Sequence, residues 1–225
     1  MKREQARTEV QVSILIPTYN DLGKLRRALK SIEKIDFPFN QFEILVVDDG
    51  STDGTSEFIA DLTERTKLCL NYFYQENQGP AAARNLGFQK ARGEYVLSID
   101  SDCFVDKDIL RNFLKHFPDG NLGGVGGNVL PDSNNLVASY LDYMGTWRPG
   151  CRGKEVSSLV TANAFFLKRA VKEAGLFDGV FRFPGGEELD LCYRMRKLGY
   201  QVAYDETASV IHSHRTTFRS LMRTF

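Results

Sequence analysis

Acidic residues fall directly behind apolar runs at three places in the first half of this chain. Asp100-Ser101-Asp102 follows Tyr95-Val96-Leu97-Ser98-Ile99. Asp48-Asp49-Gly50-Ser51 follows Phe42-Glu43-Ile44-Leu45-Val46-Val47, and Pro17-Thr18-Tyr19-Asn20-Asp21 follows Val12 to Ile16. Laid side by side as parallel strands, these runs bring their carboxylates to one edge of a sheet. Carboxylates grouped in that way repel one another and become harder to ionise. A hard divalent cation with oxygen ligands relieves the conflict. A cation held at the mouth of a sheet then attracts a phosphate-bearing ligand.

A second acidic set opens a helix later in the chain. Gly185-Gly186 precedes Glu187-Glu188-Leu189-Asp190, and Arg194 follows. Helical spacing puts Glu187, Asp190 and Arg194 on one face and turns Glu188 toward Leu191 and Cys192. A helix N-terminus stabilises a nearby carboxylate, and the glycines let the backbone approach closely there. The same trio also suits a plain exposed ion-pair ladder. In His212-Ser213-His214 the two histidines share one face if the segment is extended; a surface pair and a ligand set both fit. No G-x-S-x-G and no cysteine beside a histidine points to a nucleophile.

The elements that must position these residues alternate. Strand Val10–Ile16 leads to a helix from Asp21 to about Ile32, with Leu22, Leu25, Leu29 and Ile32 at helical spacing. Strand Phe42–Val47 leads through cap and turn residues, Asp53 among them, to a helix carrying Phe58, Ile59 and Leu62. Strand Leu68–Tyr74 is followed by a helix opened by Gly79-Pro80, and strand Tyr95–Ile99 completes the half. This order predicts an α/β fold with a mostly parallel central sheet flanked by helices. Ligands of such sheets bind beyond the carboxyl ends of the strands, which is the acidic side here.

The second half is less regular and predicts a smaller mixed region. A helix capped by Asp106 carries Ile109, Leu110 and Phe113, and Leu122 to Val129 reads as a glycine-rich strand. Those glycines do not form a G-x-G-x-x-G fingerprint, so close backbone approach is the expected reason for them. Asp132 to Gly153 reads as a loop, Leu159–Leu167 as a strand, and Glu187–Leu198 as a helix ended by Gly199. Two short strands are expected near Val202–Tyr204 and Ser209–Ile211. Trp147 and Asn163 are candidates for sugar contact, and core packing fits Trp147 equally.

Lysine plus arginine balances aspartate plus glutamate at 29 each, which gives no sign of nucleic-acid binding. The four cysteines form no C-x-x-C pair, so neither zinc nor a disulfide framework is expected. Met1 to Glu9 is charged and reads as an exposed tail rather than a secretory signal. No stretch reaches the length of a membrane-spanning helix. Phe218, Leu221, Met222 and Phe225 make an apolar stripe at 216–225, read as the start of a C-terminal extension. Residues 1–225 are otherwise expected to form one domain, with a half at about 10–105 and a second at about 106–215.

The order of motifs resembles glycosyltransferase family 2. Ser13-Ile14-Leu15-Ile16-Pro17-Thr18-Tyr19-Asn20, Val46 to Thr55, Asn77 to Asn85, Gly93 to Asp102, Gly175-Leu176-Phe177-Asp178 and Gly186 to Leu191 carry the resemblance. It implies a GT-A (Rossmann-like) fold, a nucleotide-sugar donor, a divalent metal (Mn2+ or Mg2+) and inversion at the anomeric carbon. By the same resemblance, Pro17, Thr18, Asn20, Asp49, Arg84, Asp100 and Ser101 would bind the nucleotide-sugar. Asp102 and His212 would hold the metal. Glu188, with Glu187 and Asp190 beside it, would be the catalytic acidic set, although relatives often carry Asp where this chain has Glu188. A UDP-sugar is the expected donor, and a glycan or polyprenol-linked sugar of envelope polysaccharide assembly the expected acceptor. The chain would then work in the cytoplasm, at the inner face of the membrane. Two rivals stay open: an inactive sugar-nucleotide or glycan binder, and a sugar-phosphate nucleotidyltransferase, which lacks its glycine-rich loop here.

Overall fold

Side chains alternate across the strands as a two-faced sheet requires. In β1 (Val12–Thr18), Val12, Ile14 and Ile16 join the core on one face while Leu15 joins the core on the other. β2 (Phe42–Asp48) divides Phe42, Ile44 and Val46 from Leu45 and Val47 in the same way. The computed structural model describes residues 10–117, 121–132, 151–152, 155–181 and 185–213. Met1 to Glu9, Trp147, Arg148, His214 and the stripe from Phe218 to Phe225 lie outside the described residues.

The remaining strands are β3 (Leu70–Tyr74), β4 (Tyr95–Ile99), β5 (Cys103–Val105), β6 (Leu122–Pro131), the small β7–β8 pair at Cys151–Arg152 and Glu155–Val156, β9 (Asn163–Leu167) and β10 (Gln201–His212). Eight of them form one sheet in the order β3-β2-β1-β4-β9-β6-β10-β5. β1 runs parallel to both β2 and β4, and β10 runs parallel to β6. β9 is antiparallel to β4 and β6, and β5 is antiparallel to β10. Two reversals cancel across β9, so β10 ends at the same edge as β1, β2 and β4.

The helices are α1 (Leu22–Ile32), α2 (Thr55–Arg65), α3 (Pro80–Lys90), α4 (Ile109–Leu114), α5 (Lys168–Glu173) and α6 (Glu187–Lys197). Leu25, Leu29, Ile32, Ile59, Ile109 and Phe113 close one face of the sheet. Phe88, Val171, Leu191 and Met195 close the other. Burying such side chains stabilises by about 1.5–3 kcal/mol each. Phe165 sits in an aromatic stack, 5.1 Å from the Phe113 ring and 5.5 Å from the Tyr95 ring.

Several boundaries differ from the sequence reading. The strand expected from Leu159 begins at Asn163, because a turn donates the Asn163 N–H to the Val160 carbonyl. The two strands expected near the end are one, β10, with an irregularity between Asp205 and Ser209. There the Asp205 carboxylate accepts from Thr207 N–H and its hydroxyl, which forms a tight turn inside the strand. Asp108 stands at the α4 cap, and Asp106 accepts its N–H from one turn earlier. The glycine-rich run fits close backbone approach: a Cβ on Gly127 would stand 2.2 Å from the Ala208 carbonyl. Asn163 crosses the same gap, donating to the carbonyls of Asn128 and Ala208 at 2.9 Å.

Candidate active site

The carboxyl ends of β1 and β2 meet in register, with Thr18 beside Asp48. Both aspartates after β2 are engaged with the chain. Asp48 accepts from the Ser51 N–H and the Tyr72 hydroxyl. Asp49 accepts from Gln75 Nε2 and the N–H groups of Gln78 and Gly79 at 2.6–2.9 Å. Asp49 therefore fixes the loop that opens α3. Asn20 has a φ of 49° and accepts from Thr52, and Asp53 accepts from Leu22 N–H at the start of α1. These bonds fasten the loop after β1 to the loop after β2. Pro17 is half-buried in β1. Thr18 is buried at 3% exposure, and among the described residues its hydroxyl has no hydrogen-bond partner.

The D-x-D segment occupies the turn between β4 and β5. Cys103 pairs with His212 across β5 and β10, and the Ser213 N–H donates to the Asp102 carbonyl. That register brings His212 Nε2 to 3.3 Å from Asp102 Oδ1, although the two lie far apart in sequence. Among the described residues, Asp102, Cys103 and His212 offer ligand atoms within 4.8 Å of one another. A carboxylate oxygen and an imidazole nitrogen can together ligate a divalent metal cation. Burial, with Asp100 and Asp102 nearby, pushes the Cys103 thiol well up, and sulfur is a soft ligand that hard cations disfavour. Lys24 Nζ lies 3.1 Å from the other oxygen of Asp102 and 3.7 Å from Asp21 Oδ2. A positive charge already stands where the cluster calls for one. The donor set fits a divalent cation. Burial raises Asp21, and the Asp102 charge adds to it while Lys24 opposes it. The Ser101 hydroxyl points to Asp21 at 3.5 Å.

Arg84 of α3 is buried and forks between two halves of the site. One nitrogen donates to Asp100 Oδ1 at 2.9 Å and another to Glu187 Oε1 at 3.0 Å. Glu187 also accepts the Gly185 N–H. Asp100 is raised by burial, with Arg84 opposing the shift. Gly186 precedes α6 at a φ of 97°, a left-handed conformation in which a Cβ is strained. Glu188, next along, is half-buried; burial first, and the Glu187 charge second, push its carboxyl above the usual range. Asp190 pairs with Arg194 at 2.7 Å as the spacing suggests, whereas Glu187 turns away to Arg84.

The structure thus brings Asp100, Asp102, Arg84, Glu187 and His212 into one connected edge, with Glu188 beside Glu187. Asp190 belongs to the outer ion pair with Arg194. Lys24 was not singled out by sequence reasoning. Its spacing from Asp21 by three residues is the signal that marks it.

The family model described as "Glycosyl transferase family 2" matches residues 13–174. A Mycobacterium tuberculosis protein described as a pre-mycofactocin glycosyltransferase is 29% identical over 218 residues, 92% of this chain and 44% of its own length. The matches cover between 19% and 44% of the first curated relatives, so this chain spans less than half of their length. Among solved structures, a mannosyltransferase from Pyrobaculum calidifontis in complex with GDP-Man and Mn2+ superposes with a TM-score of 0.78 at 22% identity, over 96% of this chain and 60% of that one. Staphylococcus aureus TarS 1-349 with UDP-GlcNAc superposes with a TM-score of 0.68 at 22% identity, over 92% of this chain and 60% of that one. At those identities the superpositions establish a GT-A fold.

Proposed function

The chain belongs to glycosyl transferase family 2, and from that premise we propose that it moves a sugar from a nucleotide-sugar to a hydroxyl acceptor, inverting the anomeric carbon. One observation carries the reading: the Arg84 guanidinium joins Asp100 of the D-x-D to Glu187 at the start of α6. In this reading Asp100 is a donor-side and Glu187 an acceptor-side carboxylate, joined through Arg84, with Glu188 beside Glu187.

In the proposed reaction Glu188 takes the proton of the acceptor hydroxyl. The acceptor oxygen forms its bond to the anomeric carbon as the bond to the diphosphate oxygen breaks. The electron pair leaves with the nucleoside diphosphate. Asp102 and His212 would hold a divalent cation, which when bound would supply positive charge against the leaving diphosphate. Thr18 offers the nucleotide a buried hydroxyl that the fold leaves unpaired. Asp49 shapes the same pocket by holding Gln78 and Gly79 in place. In the same reading Asp100, Ser101 and Asn20 contact the nucleotide-sugar. A UDP-sugar is the proposed donor, and a glycan or lipid-linked sugar the proposed acceptor. The S. aureus TarS structure with UDP-GlcNAc and the P. calidifontis structure with GDP-Man frame that choice. Among the described residues no helix is long and apolar enough to cross a membrane.

A thermal-shift screen of UDP, GDP and dTDP with Mn2+, Mg2+ or excess EDTA tests the reading. Stabilisation by UDP that needs the cation is expected, because ligand binding to the folded state raises Tm. Equal stabilisation in EDTA would remove the metal assignment. Hydrolysis of the matching nucleotide-sugar with Mn2+ separates an enzyme from an inactive binder.

A further inference from the structure

We infer that Lys24 is the resident counter-cation of the donor site: it holds Asp102 while the site is empty and turns to the diphosphate when metal and nucleotide arrive. The inference rests on the metal reading above and deepens it. Lys24 Nζ is 3.1 Å from Asp102 Oδ2 and 3.7 Å from Asp21 Oδ2, so it sits between two carboxylates that would otherwise face each other. The other oxygen of Asp102 faces His212 Nε2 at 3.3 Å. Asp102 is thus shared between a metal-ligand partner and an ammonium.

An ammonium and a divalent cation cannot both sit against one carboxylate without repulsion. Metal entering at Asp102 and His212 therefore pushes Lys24 away. The side chain is free to go: it is 38% exposed, and its four-carbon stem carries three donors on rotatable bonds. α1, which carries it, packs against β5, next to the D-x-D turn. A metal-bound diphosphate at Asp102 brings several anionic oxygens within that stem's swing. Lys24 then opposes metal alone and favours metal together with nucleotide. That is a coupling between two ligands, and such coupling is reciprocal.

The test measures binding rather than turnover, on the whole chain as it stands. Mn2+ binding is measured without nucleotide by titration calorimetry for wild type, Lys24→Met, Lys24→Arg and Asp102→Asn. UDP binding is then measured in saturating Mn2+. Lys24→Met is expected to bind Mn2+ alone roughly two- to fivefold more tightly, the scale of a partly exposed ion pair. The same variant is expected to bind UDP with Mn2+ roughly tenfold more weakly, from loss of a charge-assisted hydrogen bond. Lys24→Arg, which keeps the charge, should resemble wild type. Unchanged or weaker Mn2+ binding in Lys24→Met overturns the inference, as does unchanged UDP binding. Failure of the premise looks different: Asp102→Asn would then bind Mn2+ as wild type does, or no form would bind it, and the Lys24 role would fall with the metal site.

Discussion

Burial, and then the Glu187 carboxylate beside it, hold Glu188 above the usual carboxylate range. A carboxyl raised in the folded state contributes stability that is complete below its unfolded value, about 4.3 for Glu. That contribution is lost as pH rises through the folded value. At neutral pH the ionised Glu188 therefore costs stability, while only the ionised form can accept a proton. Glu188→Gln is expected to raise Tm at pH 7, lower kcat by roughly 10²–10⁴, and leave UDP affinity unchanged. Wild-type turnover in that variant would move the role to Glu187 or Asp190. Thr18 follows the same logic by another route. Its buried hydroxyl is unpaired, and such a group costs about 1–3 kcal/mol. Thr18→Val should match or exceed wild type in urea denaturation and bind UDP more weakly. A variant that loses stability and keeps its UDP affinity would assign Thr18 to the core.

Arg84 makes α3 the coupling between the β4 edge and α6, and that role belongs to the elements rather than to the arginine alone. Removing one partner of a buried pair leaves an uncompensated charge and costs about 3–5 kcal/mol. Arg84→Met is expected to lower stability by that amount, because Glu187 is 2% exposed and Asp100 is raised by burial already. Adding Glu187→Gln to Arg84→Met should recover much of the loss, as residues in one network do not act additively. Purely additive costs in the double variant would show that the pair is not coupled. This contact also marks where sequence reading ran out. The strands, α1 and α3 were legible because apolar spacing and the Gly79-Pro80 start are local signals. Acidic residues at strand ends were legible for the same reason. Arg84 meets Glu187 across 103 residues, and His212 meets Asp102 only through the β5–β10 register. Neither leaves a local pattern. α5 and β5, at six and three residues, are too short to show a period. Helical spacing puts Glu187 on one face with Asp190 and Arg194, but the buried Arg84 guanidinium takes the Glu187 carboxylate.

Over the whole molecule, carboxyls shifted in opposite directions set how stability varies with pH. Asp21, Asp100 and Glu188, on the ligand edge, are all raised, with burial the largest cause in each. Their stabilising contribution is complete below the ordinary values and fades as pH rises through the raised ones. Asp205 lies in the irregular turn of β10, against the end of α4. Burial pushes it up, but bonds from His116, Thr207 and Lys115 outweigh burial and hold it well below the usual range. Asp53 is also lowered, by Thr55 and the α1 N-terminus against a smaller burial effect than these bonds combined. Groups of this second kind stabilise above an unfolded value of about 3.9 and stop doing so as pH falls toward the depressed one. The two sets act on different limbs. Tm of the ligand-free protein should therefore rise as pH is lowered through the raised values toward the ordinary carboxylate range, then fall below about 4. Asp205→Asn should flatten the acid limb and leave the neutral limb alone. Mn2+ with UDP should flatten the neutral limb, because positive charge at Asp102 makes the ionised edge acceptable. Thermal melts across this range, with and without Mn2+ and UDP, separate the contributions. A neutral limb that metal and nucleotide do not alter would mean that the raised carboxyls are a feature of packing and not of a cation-binding edge.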